Sequence, residues 1–403
     1  DRIVLHPVWG SLLFAAVMVT FFQLIFSAAG PATDLIDGAI AGLAESARAA
    51  LPAGGFADLV ADGLIAGVGS VVIFLPQIVI LFSLLYLLED IGYMARAAFL
   101  MDSVMSRVGL SGKSFLPLLS GYACAIPGIM ATRSIPSAKE RLATILILPW
   151  MSCTARLPVY LLLVPLLVSG TGAQTLTLFA IYALGTITAL LAAKFLKPRL
   201  GPAEAPQFML ELPPYQKPDW GFILRQVWDR AFSFLKKAGT LILGISILLW
   251  FLETYPKSDS ADPADQREAS FMGMAGKVIE PVVKPLGWDS RTGTAMLTSF
   301  AAREVFVSSL SISYAVDEEA DGAEDKLRDR LASAKKPDGS PLFTPLAILS
   351  LLIFYIYALQ CLPTTAVVKR ETNSWKWALG QLGGMTLFAY LAALAVFQIG
   401  SLF

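Results

Sequence analysis

The feature that most constrains this chain is a set of long apolar runs without charge. A helix needs about 20 residues to cross a bilayer. Six runs that lack Asp, Glu, Lys and Arg reach or approach that length: residues 8–33, 68–88, 175–193, 238–252, 342–368 and 377–403. A seventh run, residues 142–168, contains a single charge, Arg156, and three prolines. The pattern predicts an all-α polytopic membrane protein with about seven full spans.

Composition agrees with this prediction and excludes several other classes of protein. Hydrophobic residues make up 56% of the chain and charged residues 15%, whereas about a quarter of a soluble domain is charged. The 31 basic and 31 acidic residues cancel, so no basic excess indicates a nucleic-acid partner. Three cysteines cannot form a disulfide framework. His6, the one histidine, precedes the first run, which excludes histidine-based catalysis and a His-rich metal site.

The beginning of the sequence predicts a retained membrane helix. The first apolar run starts at residue 8, and the chain opens on Asp1 rather than Met. At 26 residues the run is longer than the apolar core of a signal peptide. We therefore expect it to stay in the membrane, and we expect a further segment of the protein upstream of Asp1.

Charge in the connections predicts their side of the membrane, because basic loops resist translocation. Residues 194–237 contain eight Lys or Arg and four acids, and residues 369–376 contain three and one. Both are predicted to be cytoplasmic. Residues 31–66 contain five acids and one Arg, and are predicted to be external.

Two further apolar segments are predicted to be broken hairpins rather than spans. Residues 114–132 contain two prolines and two glycines and have basic residues on both flanks, which indicates a re-entrant hairpin that begins and ends on the cytoplasmic side. Residues 292–316 hold Arg303 and Glu304 at their middle. The same charge argument makes this second segment a hairpin from the external side.

A shift of 178 residues aligns the two hairpins. Gly109 then matches Gly287, Lys113 matches Arg291, and Cys124 falls beside Arg303 and Glu304. With the charge-derived sides, this gives two repeats of opposite topology, the plan of many secondary transporters. Chance similarity between two apolar stretches is the alternative. The predicted organisation is a first membrane helix with an external amphipathic segment (1–66), a first repeat (67–197), a cytoplasmic Pro-rich linker and amphipathic helix (198–237), a second repeat (238–368) with an external charged loop (317–338), and a C-terminal membrane helix (369–403).

Sulfur-containing residues are the first candidates for binding a substrate. Cys124, Cys153 and Cys361 each lie next to prolines or glycines that interrupt a helix, and irregular backbone inside a membrane occurs where it is buried in protein or lines a cavity. Thiols and the thioether of Met151 favour a borderline or soft metal cation over Na⁺ or Ca²⁺. The neighbouring hydroxyls of Ser152 and Thr154 are supporting candidates. A lone apolar cysteine is otherwise an ordinary small core residue.

Glu304 is the strongest single candidate, because a carboxylate inside an apolar membrane segment is costly and marks function by default. We predict that it is a cation ligand or a proton carrier. The alternative is an ion pair with Arg303, but adjacent residues of a helix point in different directions. Arg133 and Arg156 are predicted to hold the carbonyl ends of half-helices rather than to bind substrate.

Two apparent catalytic features are rejected. Residues 112–114 (GKS) end like a phosphate-binding loop, but Arg107 stands where that motif needs glycine. No GxSxG motif and no paired aspartates lie within a span, so an intramembrane hydrolase has no visible machinery.

Several motifs closely resemble the membrane domain of the FeoB family of bacterial ferrous iron transporters, in order along the whole chain. The motifs are DRIVLHP (1–7), GYMARAAFLMD (92–102), GKSFLPLL (112–119), IMATR (129–133), MSCTARLPVY (151–160), ELPPY (211–215), FAARE (300–304) and CLPTT (361–365) with Arg370 and Glu371. Two positions depart from the family pattern. Arg303 stands where members often have Lys, and Ala125 where Asn is common, so an Asn ligand is missing there.

The resemblance implies an inner-membrane permease domain that imports Fe²⁺ as its substrate and has no permanently bound cofactor. It implies that Cys124, Cys153, Glu304 and Cys361 handle the metal, and that the two repeats are gate repeats. It also implies an upstream domain that binds GTP and Mg²⁺ and powers or regulates transport. Expected partners are Fe²⁺, the bilayer, that G domain, small cytoplasmic Feo-system proteins and further copies of the chain.

Two other functions stay open at this stage. A nucleoside transporter, or a transporter of another cation, is possible because gate repeats resemble those of nucleoside transporters. A membrane receptor module that responds to a G domain without transporting is the alternative from a different class. Metal-dependent uptake separates both from the iron permease.

Overall fold

A computed structural model of the chain describes residues 1–402 apart from residues 3, 7, 53, 200–213, 258–262, 315–322 and 336–338. The described residues form helices and no sheet, with one isolated bridge between Lys335 and Pro341. The α-helices are Trp9–Ala50, Gly55–Asp58, Ala66–Val72, Leu75–Asp90, Tyr93–Met105, Phe115–Ala123, Ala125–Ala131, Ala138–Ile147, Leu157–Leu167, Thr171–Arg199, Trp220–Phe234, Thr240–Thr254, Pro263–Ala269, Phe271–Val283, Ser290–Thr298, Val305–Ser313, Ala323–Ser333, Pro345–Tyr357, Leu362–Thr372 and Trp375–Gly400. Short π-helical or 3₁₀ turns join several of them.

Six helical stretches are long and apolar enough to cross a membrane: Trp9–Ala50, Gly55–Asp90, Ala138–Leu167, Thr171–Leu196, Pro345–Thr372 and Trp375–Gly400. The helix Thr240–Thr254 is apolar but shorter. These seven segments coincide with the seven predicted spans and confirm the all-α polytopic fold. The first helix is longer than predicted, because the alanine-rich residues 34–50 continue it for 17 residues beyond the apolar run.

The predicted charged loop 317–338 contains a helix that the charge pattern did not predict. Residues 323–333 are helical, and Leu327 and Leu331 on that helix are fully buried. The two leucines lie four residues apart, so they share one face and pack into the apolar core. The rest of that predicted loop, 317–322 and 336–338, lies outside the described residues, as does most of the predicted Pro-rich linker, including residues 211–213 of the ELPPY motif.

The chain divides into two compact units. One comprises residues 1–116, 134–140 and 202–250, and the other comprises residues 117–133, 141–201 and 251–403. In the first unit, the helices Trp9–Ala50 and Trp220–Phe234 both pack against Leu75–Asp90. In the second unit, the core surrounds the fully buried side chains of Tyr160, Phe306 and Tyr355.

The proposed repeat corresponds to the same order of elements occurring twice. The helices Tyr93–Met105 and Phe271–Val283 are each followed by a 3₁₀ turn that ends at a glycine with positive φ, Gly109 at 85° and Gly287 at 86°. Only glycine adopts that conformation without strain. In both halves an interrupted helical pair and then an interrupted span follow. The opposite orientation of the two halves in the membrane stays a prediction.

Candidate functional site

Four interruptions of helical structure in the second unit contain the candidate ligands. We name the elements the first hairpin (residues 115–131), the first broken span (Ala138–Leu167), the second hairpin (residues 290–313) and the second broken span (Pro345–Thr372). Each contains an interruption of its α-helical structure, and each interruption includes at least one residue singled out from the sequence.

The first hairpin reverses at Cys124. This residue has extended backbone, with φ −157° and ψ 135°, between the helices Phe115–Ala123 and Ala125–Ala131. The second helix then folds back closely on the first. A Cβ atom on residue 128 would lie only 2.9 Å from the Pro117 carbonyl oxygen and 3.2 Å from the Gly121 nitrogen. Glycine at position 128 therefore permits the reversal that presents the thiol at the turn.

The first broken span is interrupted between residues 148 and 156. A 3₁₀ turn, Leu148–Trp150, is followed by extended backbone at Met151 and Cys153, and the helix resumes at Leu157. The Thr154 hydroxyl donates a hydrogen bond of 2.8 Å to the Ala123 carbonyl. This bond joins the interruption of the first broken span to the turn of the first hairpin.

In the second hairpin, the helices Ser290–Thr298 and Val305–Ser313 pack against each other and residues 299–304 form the turn between them. Glu304 directly precedes the second of these helices. The N-terminus of a helix has a partial positive charge that favours a carboxylate or another anion. Glu304 is partly exposed, and among the described residues no ion pair involves it.

The second broken span is interrupted at residues 358–361, where Cys361 has extended backbone with φ −164° and ψ 92°. The Leu362 N–H donates to the Phe300 carbonyl at 3.1 Å, and the Gln360 amide donates to the Ser299 hydroxyl at 2.9 Å. The interruption of the second broken span is thus bonded to the turn of the second hairpin.

Two buried arginines hold the free carbonyl groups of these interruptions. Arg156 is fully buried and donates to the carbonyls of Pro149, Met151 and Ala358 at 3.1 to 3.3 Å. Arg303 donates to the carbonyls of Gln360 and Ala358 at 3.3 and 3.2 Å. The predicted role of Arg156 is confirmed. Arg303 has the same role, which explains why it does not pair with Glu304.

The prediction that Arg133 holds the carbonyl end of a half-helix is wrong. Its guanidinium binds the Glu371 carboxylate through two bonds of 2.8 and 2.6 Å instead of a helix carbonyl. The reason is position. Arg133 lies in the 3₁₀ turn after the first hairpin and is exposed, whereas Glu371 lies near the end of the second broken span.

The candidate ligands differ in how accessible they are. Cys124, Cys153 and Cys361 are free thiols with partly exposed side chains. Arg303 lies 3.8 Å from the Cys153 sulfur, and the Thr364 hydroxyl donates to Cys361 at 3.0 Å. Met151 and Ser152 are buried.

The described residues do not form a closed metal centre. In the part of the chain that the structure describes, no three Cys, His, Asp or Glu side chains meet closely enough to hold a metal ion. The metal-binding roles of Cys124, Cys153, Glu304, Cys361 and Met151 therefore stay predictions. What the geometry provides is a set of sulfur and carboxylate groups around interrupted helices.

Sequence reasoning missed the polar network behind these groups. The Ser299 hydroxyl accepts from Tyr355 at 3.0 Å as well as from Gln360, and Ser152 lies 3.3 Å from the Tyr160 hydroxyl. All five side chains are buried. The sequence did contain a signal for this network, namely polar residues next to the helix-breaking positions. Because buried polar groups need hydrogen-bond partners, such residues are expected to bond to one another.

A comparison with protein families gives two matches. The family described as "Gate: Nucleoside recognition" matches residues 71–166 and 235–375. The chain belongs to this gate family. The matched residues include both hairpins, the first broken span up to residue 166 and all of the second broken span. A second family, described as "Ferrous iron transport protein B C terminus", matches residues 178–230.

Similar gate-family proteins are named as iron transporters. The chain is 43% identical over 410 residues to a protein of Leptospira biflexa named "Fe(2+) transporter FeoB", and 38% identical to one of Staphylococcus aureus with the same name. It is 37% identical to a Porphyromonas gingivalis protein named "Fe(2+) transport protein A/Fe(2+) transporter FeoB fusion protein". All of this chain is matched, but it spans 59% of the first two proteins and 51% of the third.

These matches confirm the recognition of the FeoB membrane region from its motifs. With the six candidate spans, they identify a multi-pass inner-membrane protein of the gate family. No solved structure matches the chain.

Proposed function

We propose that this chain is the permease region of a ferrous iron transporter and passes Fe²⁺ across the inner membrane. The single observation that supports this most is the set of four interrupted helical elements, which places three thiols and one carboxylate at non-helical positions. The names of the relatives add iron as the substrate.

The chemistry of these groups suits a divalent metal in transit. An uninterrupted apolar helix provides no ligand for a cation, because its carbonyl groups are hydrogen-bonded within the helix. Thiols and one carboxylate supply ligands of mixed softness that suit a first-row metal.

The two buried arginines have a supporting role in this proposal. Their positive charges would repel a cation, but each guanidinium is bonded to carbonyls of the interruptions. We infer that Arg156 and Arg303 keep the interrupted backbone in place and that the cation passes on the side of the thiols and Glu304.

The decisive experiment is Fe²⁺ uptake into vesicles that contain the purified chain, with the Glu304→Gln variant. This substitution preserves shape and removes the charge, so we expect uptake to fall at least about tenfold, as for loss of a charged ligand. Glu304→Asp should keep part of the activity. Glu280→Gln, on the helix Phe271–Val283, is the matched control and should transport like the parent.

A stable Glu304→Gln protein that transports at the parent rate would make Glu304 structural. If the parent chain transports nucleosides but not Fe²⁺, the proposal fails and the nucleoside function in the family's description is correct. Thiol labelling adds an independent measurement, since Fe²⁺ should slow the labelling of at least two of the three cysteines.

We further propose that transport in the longer protein is coupled to GTP. The relatives are longer than this chain, and the Porphyromonas relative is named as a fusion with a Fe(2+) transport protein A. The family resemblance adds a GTP-binding domain as an expected partner, and the name of the fusion protein adds an A-type protein. Uptake by the longer protein should change when GTP is replaced by GDP. Equal uptake with both nucleotides would exclude coupling without excluding transport.

A further inference from the structure

The last helix, Trp375–Gly400, contributes none of the candidate ligands, and only its first residue lies within the match to the gate family. Five of its residues are buried. Four of them are apolar: Ala378, Met385, Ala389 and Ala393. The fifth is Gln381, which is only 7% exposed. A buried amide is costly unless it is hydrogen-bonded, so the partners of Gln381 indicate what this side chain does.

Both partners of Gln381 are backbone carbonyls of the first broken span. Its Nε2 donates to the Leu146 carbonyl at 2.8 Å and to the Ile145 carbonyl at 3.3 Å. These two residues lie in the last turn of the helix Ala138–Ile147, just before the interruption at residues 148–156. The amide oxygen Oε1 has no hydrogen-bond partner among the described residues, so the amide group acts here through its donors.

Proline explains why these carbonyls need a donor from outside the helix. The last four carbonyls of an α-helix have no partner within it. Residue 149 would supply the N–H for the Ile145 carbonyl, but Pro149 has none. Ile145 and Leu146 are both buried, and in a membrane protein a neighbouring element must satisfy such freed carbonyls. Gln381 provides the donor from 236 positions along the chain.

The last helix also contacts the residues that lead into both interruptions. The centre of the Phe388 ring lies 5.1 Å from that of Trp150 and 5.1 Å from that of Tyr357, edge to face in both cases. Trp150 ends the 3₁₀ turn of the first broken span, and Tyr357 directly precedes the interruption of the second. Phe388 follows Gln381 by seven residues, which places the two on the same side of the helix.

We propose that the last helix positions both interruptions, with Gln381 and Phe388 as its positioning residues. Gln381 fixes the end of the helix before the first interruption through two hydrogen bonds. Phe388 fixes the two interruptions relative to each other through its aromatic contacts. Cys153 and Cys361, which lie in these interruptions, therefore keep defined positions. The consequence for Fe²⁺ uptake rests on the proposed function, whereas the consequence for the two thiols rests on these contacts alone.

The first experiment measures how fast a maleimide labels each cysteine of the purified chain in detergent, resolved by mass spectrometry of its peptides. Gln381→Leu removes the donors and keeps a side chain of similar size. The first interruption should then open more often, and Cys153 should react about tenfold faster, the equivalent of one buried hydrogen bond. Gln398→Leu is the matched control. Gln398 is exposed on the same helix and donates at 2.7 Å to the carbonyl of Pro285, which belongs to neither broken span.

Phe388→Leu is the second variant, because the ring is 43% exposed and its replacement leaves no closed cavity. Cys153 and Cys361 should both react faster in this variant. The control is the same substitution at Phe179, which is 71% exposed on the helix Thr171–Arg199. Faster labelling in the two test variants with unchanged controls supports the proposal. Unchanged labelling in both test variants, or equal labelling in tests and controls, overturns it.

Pro149→Ala separates a positioning role of Gln381 from a merely structural one. Alanine at position 149 supplies the N–H that the Ile145 carbonyl lacks, so the donor from Gln381 matters less. In this background Gln381→Leu should accelerate the labelling of Cys153 by less than about threefold, since one freed carbonyl has regained a donor. The same acceleration in both backgrounds would mean that Gln381 acts through packing, and the proposal would fail.

Fe²⁺ uptake into vesicles gives the functional readout. Gln381→Leu and Phe388→Leu should lower uptake, while Gln398→Leu and Phe179→Leu should transport like the parent. A parent chain that does not transport Fe²⁺ would refute the proposed function and leave the labelling result valid. Normal uptake by a Gln381→Leu chain whose Cys153 reacts at the parent rate would overturn the positioning role.

Discussion

The two hairpins occupy corresponding positions in the repeat but reverse the chain by different means. The first hairpin turns at a single extended residue, Cys124, and its two helices approach through Gly121 and Gly128. The second hairpin uses residues 299–304 for its turn, and buried hydroxyls line its helices: Thr292, Thr294, Thr298, Ser309, Ser311 and Ser313. Close packing of its two helices characterises the first reversal, whereas hydrogen bonds join the turn of the second reversal to the second broken span.

The turns of the two hairpins also differ in charge. The first hairpin presents a single thiol, that of Cys124, at its turn. The longer turn of the second hairpin has space for Arg303 and Glu304, because the guanidinium is satisfied by carbonyls of the second broken span. The turn of the first hairpin thus offers a sulfur atom, and the turn of the second offers a carboxylate.

Removing Arg303 should have the largest effect on this arrangement. Arg303→Ala leaves the buried Gln360 carbonyl without its donor, and the Ala358 carbonyl keeps only its bond from Arg156. A buried acceptor left unsatisfied costs about 1–3 kcal/mol, and the packing of the long side chain is lost as well. We expect a large drop in the unfolding temperature in detergent and loss of Fe²⁺ uptake. Arg303→Lys should recover part of the stability. A stable Arg303→Ala chain would show that hydrogen bonds do not hold the second reversal.

Gly128→Ala should have the next largest effect, and it tests the first hairpin. The added Cβ would lie 2.9 Å from the Pro117 oxygen and 2.9 Å from a Leu148 methyl group, so backbone must move, at about 1–3 kcal/mol. Gly380→Ala is the matched control, because nothing lies within 4 Å of its Cβ position. Equal unfolding temperatures for the two variants would mean that the first reversal does not depend on close packing.

Breaking the Arg133–Glu371 pair should have the smallest effect on stability. Arg133 is half exposed, at 52% of its side chain, and Glu371 is 8% exposed, so Arg133→Ala should cost less than about 1 kcal/mol. Because Arg133 is half exposed, salt should weaken its attraction to Glu371. Unfolding of the parent and of Arg133→Ala should therefore converge as NaCl is raised. A loss of stability as large as that for Arg303→Ala would show that the Arg133–Glu371 pair is needed to keep the interrupted backbone in place.

Much of the fold was predictable because the membrane restricts the choices. A chain in lipid must satisfy its backbone within helices, so the apolar runs predicted seven segments that the structure contains. The same restriction made the helix-breaking residues informative. Prolines and glycines beside Cys124, Cys153 and Cys361 predicted interruptions, and all three lie at non-helical positions.

The partners of the charged side chains were not predictable from local sequence. Arg303 lies beside Glu304 in the chain, yet it binds carbonyls 55 and 57 residues away. Arg133 binds Glu371, which is 238 residues distant. Charge composition likewise suggested a loop at 317–338, where Leu327 and Leu331 form a buried helical face.

The sequence by itself determined the membrane class, the order of the spans, the positions of the interruptions and the family, since each depends on local hydropathy, on helix-breaking residues or on contiguous motifs. Tertiary structure alone decided which donor satisfies which free carbonyl and how the hairpins close. The physical reason is that a buried polar group must find a partner somewhere, but only the packed chain brings the distant candidates within reach.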